Sequence, residues 1–471
     1  MLSLVDILIV AAFLVVTLAV GLFMKRHDKT AAGYILGGRA LTLPAFVATT
    51  VSTWYGGILG VGEYAWTYGI SNWIVFGVPY YVGALLFALL FSKRARAGDC
   101  LTIPHRFESH YDGRTARCAG ILIFLTTVPG AYVLIMGTLC ALSFGLSAVA
   151  GIAMTVIFVV LYLWRGGFGA VVKTDEVQFL LMFGSFALLT LWLLCGYGTD
   201  VLAILPETHL DPTGGQPLAS ILVWYVIALS TLAEPNFFQR SFAAKTPEIA
   251  RNGMLISIVC WLIFDLMTTI CGLYARALLP NLENPMYAFP ALAVKVLPIG
   301  LIGIFFSGLF ATVLSSLDSN LFTSAATFGR DLWPKNLTPT WKDERKTRVG
   351  IVISALLAAG IAWAAGSVIS IWKIFGSVSA AALLIPILTT WYPRFKMSNT
   401  GVLVLMLLSA GTTIVWFVSK PLLGAYCLGL EPLFAGGIVS VACFAVDHIR
   451  LWRQNLRAAN QSRTPDHEGS A

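Results

Sequence analysis

Apolar residues run in stretches of about 20, divided by short polar connections, from one end of this chain to the other. A stretch of that length crosses a hydrocarbon core of roughly 30 Å as an α-helix. Lipid offers the backbone no hydrogen-bond partners, so a spanning segment that bonds within itself is favoured. The pattern predicts an all-α integral membrane protein of about thirteen spans, near 4–23, 43–62, 70–91, 117–142, 146–164, 177–196, 218–234, 253–275, 297–325, 349–366, 368–391, 402–418 and 427–446. Two spans look interrupted. The second reads VSTWYGGILGVG, with Gly56, Gly57, Gly60 and Gly62 crowded together. The seventh ends LSTLAEPNFFQR, where Glu234 and Pro235 break an apolar run. Unwound helices at corresponding places in two halves point to a transporter built from inverted repeats. Repeats over about 43–196 and 218–391 would each open on one of these breaks. Clustered glycines also serve close helix packing, and both readings stay open at this point.

Composition agrees with a lipid solvent. Of 471 residues 58% are hydrophobic and 11% charged, with mean hydropathy +0.81, against about 25% charged in a soluble domain. The net charge of +8 does not point to nucleic acid, because the basic residues sit between the apolar runs. Alternate connections hold Lys25, Arg26, Lys29 and Arg39; Lys93, Arg94, Arg96, Arg106, Arg114 and Arg117; Arg165 and Lys173; Arg240, Lys245 and Arg251; a cluster from Arg330 to Arg348; Arg394 and Lys396; and a tail from Arg450 to Arg463. The intervening ones hold only Arg276, Lys295 and Lys420. Basic connections stay in the cytoplasm, which puts the N-terminus outside, the C-terminus inside, and the protein in the cell (inner) membrane. An odd number of spans follows. We expect one transmembrane domain over 1–449 and a polar, disordered cytoplasmic tail over 450–471. The longer cytoplasmic connections, 92–116 and 329–348, have room for short surface helices.

The first segment opens MLSLVD, without a basic leader region or a small-residue cleavage site, and reads as a span. Eight scattered cysteines show no CxxC spacing, which argues against zinc and disulfides. All six histidines fall in predicted connections or tails, so no span offers haem ligands or a helical HExxH pair. Nothing in the spans resembles an enzyme's nucleophile and base, and we expect no organic cofactor.

Chemistry concentrates in the ninth span, GLFATVLSSLDSNLFTSAATFGRDLW. Thr312, Ser315, Ser316 and Ser319 share one helical face, and hydroxyls with carbonyls from a broken helix are the hard oxygen ligands of a small cation. The same hydroxyls are able to bond back to their own helix instead. Asp318 beside them is costly in a span, and a carboxylate there is a functional candidate by default. Glu63, Asp175, Glu234, Asp265, Lys373 and Glu431 also lie within or beside spans. Lys373 needs an acid or an anionic ligand; pairing with one of these acids is the simpler reading, and a carboxylate-bearing solute the alternative. Trp54 and Tyr55 flank the break in the second span and suit a ligand with both polar and apolar surface.

Four stretches carry a resemblance to the sodium:solute symporter family over about residues 4–446. YILGGRALTLPAFVATTVSTWYGG is similar to the GGR segment leading into the family's first core helix. GGFGAVVKTDEVQF, from Gly166 to Gln178, resembles its GG…AV..TD..Q signature. EPNFFQRSFAAKTPEIARNG resembles its QP…QR..AAK….AR.G signature, and ATVLSSLDSN its A..(S)(S/T)LDS motif. The resemblance implies a five-plus-five inverted-repeat core with one preceding and two following helices. It implies a co-transported sodium ion held by the backbone carbonyls of Ala48 and Val51, by Thr312, and by the hydroxyls of Ser315 and Ser316. Asp175 matches an aspartate that in some members serves a second ion site or ion release. The implied solute cavity takes in Trp54, Tyr55, Gly56, Ser230, Thr231, Glu234, Trp372 and Lys373. Three positions depart from the family: Thr50 where some members have aspartate, Glu234 in place of glutamine, and Lys373 where lysine is unusual.

The function expected is sodium-coupled symport, importing a small polar organic solute by alternating access, with a monomer as the working unit. A proton-coupled carrier of the same fold and a membrane sensor are the alternatives. Hydroxyls that do not titrate near neutrality favour sodium over protons.

Overall fold

The computed structural model describes residues 2–23, 30–334, 336–365 and 367–461. Lys25, Arg26, His27, Lys29 and Lys335 lie outside the described residues, as do positions 462–471 with Arg463 and His467. Among the described residues there is no strand, and one isolated bridge joins Leu41 to Ala244.

The helices are α1 Leu4–Phe23, α2 Leu43–Trp54, α3 Ile58–Tyr68, α4 Trp73–Ala97, α5 Gly113–Phe144, α6 Ala148–Tyr197, α7 Leu218–Ala243, α8 Pro247–Leu278, α9 Leu301–Leu332, α10 Asp343–Ala365, α11 Val368–Trp391, α12 Asn399–Leu423 and α13 Pro432–Gln461. Eleven are long and apolar enough to cross a membrane, where about thirteen spans were expected. The shortfall has two causes. The second predicted span is split into α2 and α3, each too short alone. The fifth and sixth run into one another in α6 without a loop, two helices meeting at Gly167, with Arg165 and Lys173 in helix on either side of it. Gly167 turns the chain inside α6 at φ 61° and ψ −158°. A Cβ there would lie 2.6 Å from the Tyr34 ring, so both backbone and space require glycine.

Helix ends are satisfied locally, as a helix terminus in a dry setting demands. Asp112 accepts from the Thr115 amide at 2.8 Å, Ser147 from Ala150 at 3.2 Å, and Ser398 from Gly401 at 2.9 Å. One cap comes from far along the chain. The Asp6 carboxylate in α1 accepts from the amides of Gly300 and Gly303, each at 2.8 Å, at the start of α9.

Helix α9 is the centre of the bundle. Of its most apolar window 89% is buried, against 67% for the next, α5. The outer helices present bare apolar side chains such as Leu4, Leu180, Trp363 and Leu422, each at least 70% exposed, as lipid-facing surfaces do. The expected disorder from residue 450 does not hold over 450–461, which continue α13. His105 and His110 lie on the short helix Ile103–His110 within the connection between α4 and α5, while His448 lies in α13 rather than in a connection or tail.

Candidate functional site

Two breaks face one another across the middle of the bundle. The first lies between α2 and α3. Tyr55 and Gly57 leave helical geometry at φ −92°, ψ 16° and φ −83°, ψ 20°. Its glycines also serve packing: a Cβ on Gly56 would sit 2.3 Å from that of Ser316, and one on Gly57 1.9 Å from the Trp372 ring. The glycine cluster therefore interrupts the helix and packs closely at the same time. The second break lies in α7, which tightens to a 3-10 helix over Ala228–Ala233 and extends at Glu234 (φ −67°, ψ 112°) before restarting at Pro235.

Along the seam of α2 and α9, Ala48, Val51, Thr312, Ser315 and Ser316 are all buried. Ser315 donates to the Ser52 carbonyl at 2.8 Å and lies 3.0 Å from that of Thr312; Ser316 donates to Thr53 at 2.5 Å. The Ala48 carbonyl accepts from the Ser52 hydroxyl at 2.8 Å, and that of Val51 from the Trp261 indole at 3.4 Å. Thr312 bonds back to Gly308 at 2.6 Å. The serine pair thus reaches across to α2, while the Thr312 hydroxyl is spent within its own helix.

Below this seam lies a buried polar cluster. Asp175 of α6 and Asp318 of α9 are both 0% exposed. Asp175 accepts a hydrogen bond from Thr49 and faces Arg240 at 3.7 Å. Asp318 accepts from Tyr162 at 2.7 Å. Arg240, also 0% exposed, donates to Thr53 at 2.9 Å, Ser319 at 2.5 Å, Thr49 at 3.2 Å, Gln239 at 3.0 Å and Asn236 at 3.3 Å. One carboxylate oxygen on each aspartate and both polar ends of Gln178 have no protein partner. Sequence reasoning counted Arg240 with the cytoplasmic connections and missed this cluster. The available signal was that two carboxylates in spans demand a cation near them.

Above the seam, a cavity of about 230 Å³ opens between the two breaks. Trp54, Tyr55, Ser230, Glu234 and Trp372 line it; Gly56, Thr231 and Lys373 do not. Gly56 is pressed on Ser316, and Thr231 packs towards Gly83. Lys373 pairs with Glu431 at 3.9 Å beside the Trp224 ring, so the carboxylate-bearing solute inferred from it loses its support. Asn236, Asn320, Tyr80, Tyr132 and Asp265 also line the cavity and were not expected. Amides and phenols on spans are too common to single out from sequence. Asp265 accepts a hydrogen bond from Tyr81.

The profile of the sodium:solute symporter family matches residues 34–409. The sodium/pantothenate symporter of Haemophilus influenzae is 28% identical over 417 residues, 81% of this chain and 83% of that protein. The osmoregulated proline transporter OpuE of Bacillus subtilis is 25% identical, covering 91% of each chain. The sodium/proline symporter of Salmonella typhimurium is 25% identical, covering 84% of each. Among solved structures, a substrate-bound, outward-open Na⁺-coupled sialic acid symporter superposes with a TM-score of 0.78 at 18% identity, covering 95% of this chain and 97% of its own. Mhp1, a nucleobase-cation-symport-1 family transporter in a closed conformation, gives 0.57 at 12% identity, over 89% and 96%.

Proposed function

The chain belongs to the sodium:solute symporter family, and from that premise we propose that Ser315 and Ser316, with α2 carbonyls, hold the co-transported sodium ion while the cavity between the two breaks holds the solute. The protein is a transporter, not an enzyme, and couples a small polar solute to sodium. The observation that carries the site assignment is the serine pair itself. Two fully buried hydroxyls from α9 meet carbonyls of α2 at the residues just before its break. Their oxygens are hard donors that do not titrate near neutrality, and an arriving ion exchanges their hydrogen bonds for coordination. Ala48, Val51 and Thr312 complete the proposed set through their carbonyls.

Asp175 is proposed for a second ion site or an ion-release step. Asp175 and Asp318 bring two carboxylates to the one guanidinium of Arg240, and each keeps an unpartnered oxygen. A site one positive charge short, in low dielectric, favours a monovalent cation.

The repeat architecture is proposed on the same grounds. Counting α2 with α3 as one span and α6 as two at Gly167 gives thirteen spans. The repeats then begin at α2 and α7, each with its break in its first helix, leaving α1 before the core and two helices after it. The N-terminus is assigned outside. In support, arginines tie several basic connections together at one end of the bundle: Arg39 to the Gly98 carbonyl at 3.2 Å, Arg96 to that of Lys245 at 3.2 Å, and Arg106 to that of Thr390 at 2.5 Å. A monomer is the proposed working unit, since both breaks and the cavity come from one chain.

Sodium and solute each bind and stabilise one conformation, so each raises the other's affinity. The membrane potential adds about 2.3 kcal/mol per charge per 100 mV, enough to drive import. Thermal unfolding of the detergent-purified protein in sodium against potassium chloride tests this reading. A ligand bound only by the folded state raises the melting temperature. Sodium is expected to raise it and potassium not; equal curves, with and without solutes, would refute sodium coupling through this site.

A further inference from the structure

The cavity wall has a one-sided electrostatic character. Glu234 and Asp265 line it, and among the described residues no Lys or Arg does. The two nearest cations are committed elsewhere. Lys373 pairs with Glu431 behind Trp224, and Arg240 lies one helical turn beyond Asn236, facing Asp175. Asp265 is 4% exposed and takes the Tyr81 hydroxyl.

Glu234 is the more exposed of the two carboxylates. Its Oε1 accepts from the Asn236 backbone amide at 3.3 Å and from the Asn236 side chain at 2.9 Å. The other oxygen has no protein donor and is not sealed in, so it opens to the cavity. Arg240 acts on Glu234 only through space, with Asn236 between them, and a carboxylate at membrane depth without a cation in direct contact is unfavourable. Facing it are π surfaces held in place by their neighbours. Trp54 stacks on Phe237 at 5.2 Å between centroids, and also meets Tyr80 and Trp261 at 5.4 Å each. Trp372 is pressed on Gly57, and Tyr132 lies on the same wall. Aromatic faces attract cations most when water is excluded.

We propose that the solute carries an ammonium group, primary, secondary or quaternary, seated between the free oxygen of Glu234 and the faces of Trp54, Tyr80, Tyr132 and Trp372. Asn236 and Asn320, joined at 3.0 Å, flank it with amide groups. The volume of about 230 Å³ fits a compact molecule. The inference rests on this cavity being the solute site.

The test is thermal unfolding of the purified full chain at neutral pH against matched probes that differ in the ammonium. Choline is set against 3,3-dimethylbutan-1-ol, putrescine against butane-1,4-diol, and proline against cyclopentanecarboxylate, each in sodium and again in potassium. At least one ammonium member should raise the melting temperature while its partner does not. Glu234→Gln should weaken that response at least tenfold in apparent affinity while keeping the shift caused by sodium alone, which shows the variant folded with its ion site intact. Equal responses within the pairs, no response to any ammonium probe, or unchanged affinity in Glu234→Gln would each overturn the proposal. Sodium coupling is read separately: ammonium selectivity that persists without any sodium effect sinks the symport reading and keeps this one, and the reverse pattern does the opposite.

Discussion

Replacing Arg240 by Gln puts the buried cluster to a quantitative test. The side chain is fully buried, donates to five polar groups and faces Asp175 at 3.7 Å. Glutamine retains some of the hydrogen bonds, each worth about 1 kcal/mol. It retains none of the charge. Leaving a buried carboxylate without its partner costs about 3–5 kcal/mol, so this second effect dominates. Arg240→Gln should therefore lose about 3–5 kcal/mol. Adding Asp175→Asn removes the nearer of the two orphaned carboxylates and should return about half of that loss. Chemical and thermal unfolding of wild type, both single variants and the double variant closes a double-mutant cycle, with a coupling energy of about 0.5–3 kcal/mol expected for groups in contact. A double variant no more stable than Arg240→Gln would refute the argument that charge, rather than hydrogen bonding or packing against Phe168, holds the cluster together.

Three further outcomes are expected. Removing both hydroxyls in Ser315→Ala/Ser316→Ala should abolish the sodium-dependent rise in melting temperature; an unchanged sodium response would sink the site assignment. Asp6→Ala leaves the Gly300 and Gly303 amides without their acceptor, at about 1–3 kcal/mol for buried groups; a lower melting temperature with the sodium response kept is expected. His209, on the connection after α6, is 5% exposed and donates from Nε2 to the Trp66 carbonyl at 3.0 Å. Burial holds its pKa below the usual 6.5, so the unfolded chain takes up a proton first as pH falls. Stability should therefore be full above about pH 7 and decline through 6.5 towards the folded-state value. His209→Gln should flatten that decline, and identical pH curves for the two proteins would count against it.

Much of the membrane plan was legible because it rests on chain-local properties. Runs long enough to span, the Gly56–Gly57 break and the Glu234–Pro235 break all appear in a single pass along the chain. Spatial partners did not. Lys373 had five candidate acids and the structure chose Glu431, 58 positions away by number, through helix packing that no local pattern encodes. Arg240 looked like a connection residue because it follows a broken helix, yet the short segment after the break carries it back into the interior. The form of the Arg165–Lys173 connection was hidden for a related reason: those charges read as a loop, whereas two helices of α6 meet there directly at the single residue Gly167. The cavity wall was half visible. Trp54, Tyr55, Ser230 and Glu234 flank the breaks, while Tyr80, Tyr132, Asp265 and Asn320 are residues made special only by where the fold brings them.

The bond between Asp6 and the start of α9 has a consequence in time. These partners are 294 positions apart. At ribosomal speeds of about 5–20 residues per second, the carboxylate emerges roughly 15–60 seconds before the amides that will hold it. During that wait the first helix carries an acidic group that opposes entry into lipid by up to about 3 kcal/mol, less near a helix end. Helix α1 therefore has reason to linger at the bilayer surface or lean on later helices, and to settle only when α9 arrives. The order of synthesis and the order of assembly part company at this residue, and a pulse-labelled ribosome-bound series would show α1 becoming protected late rather than first.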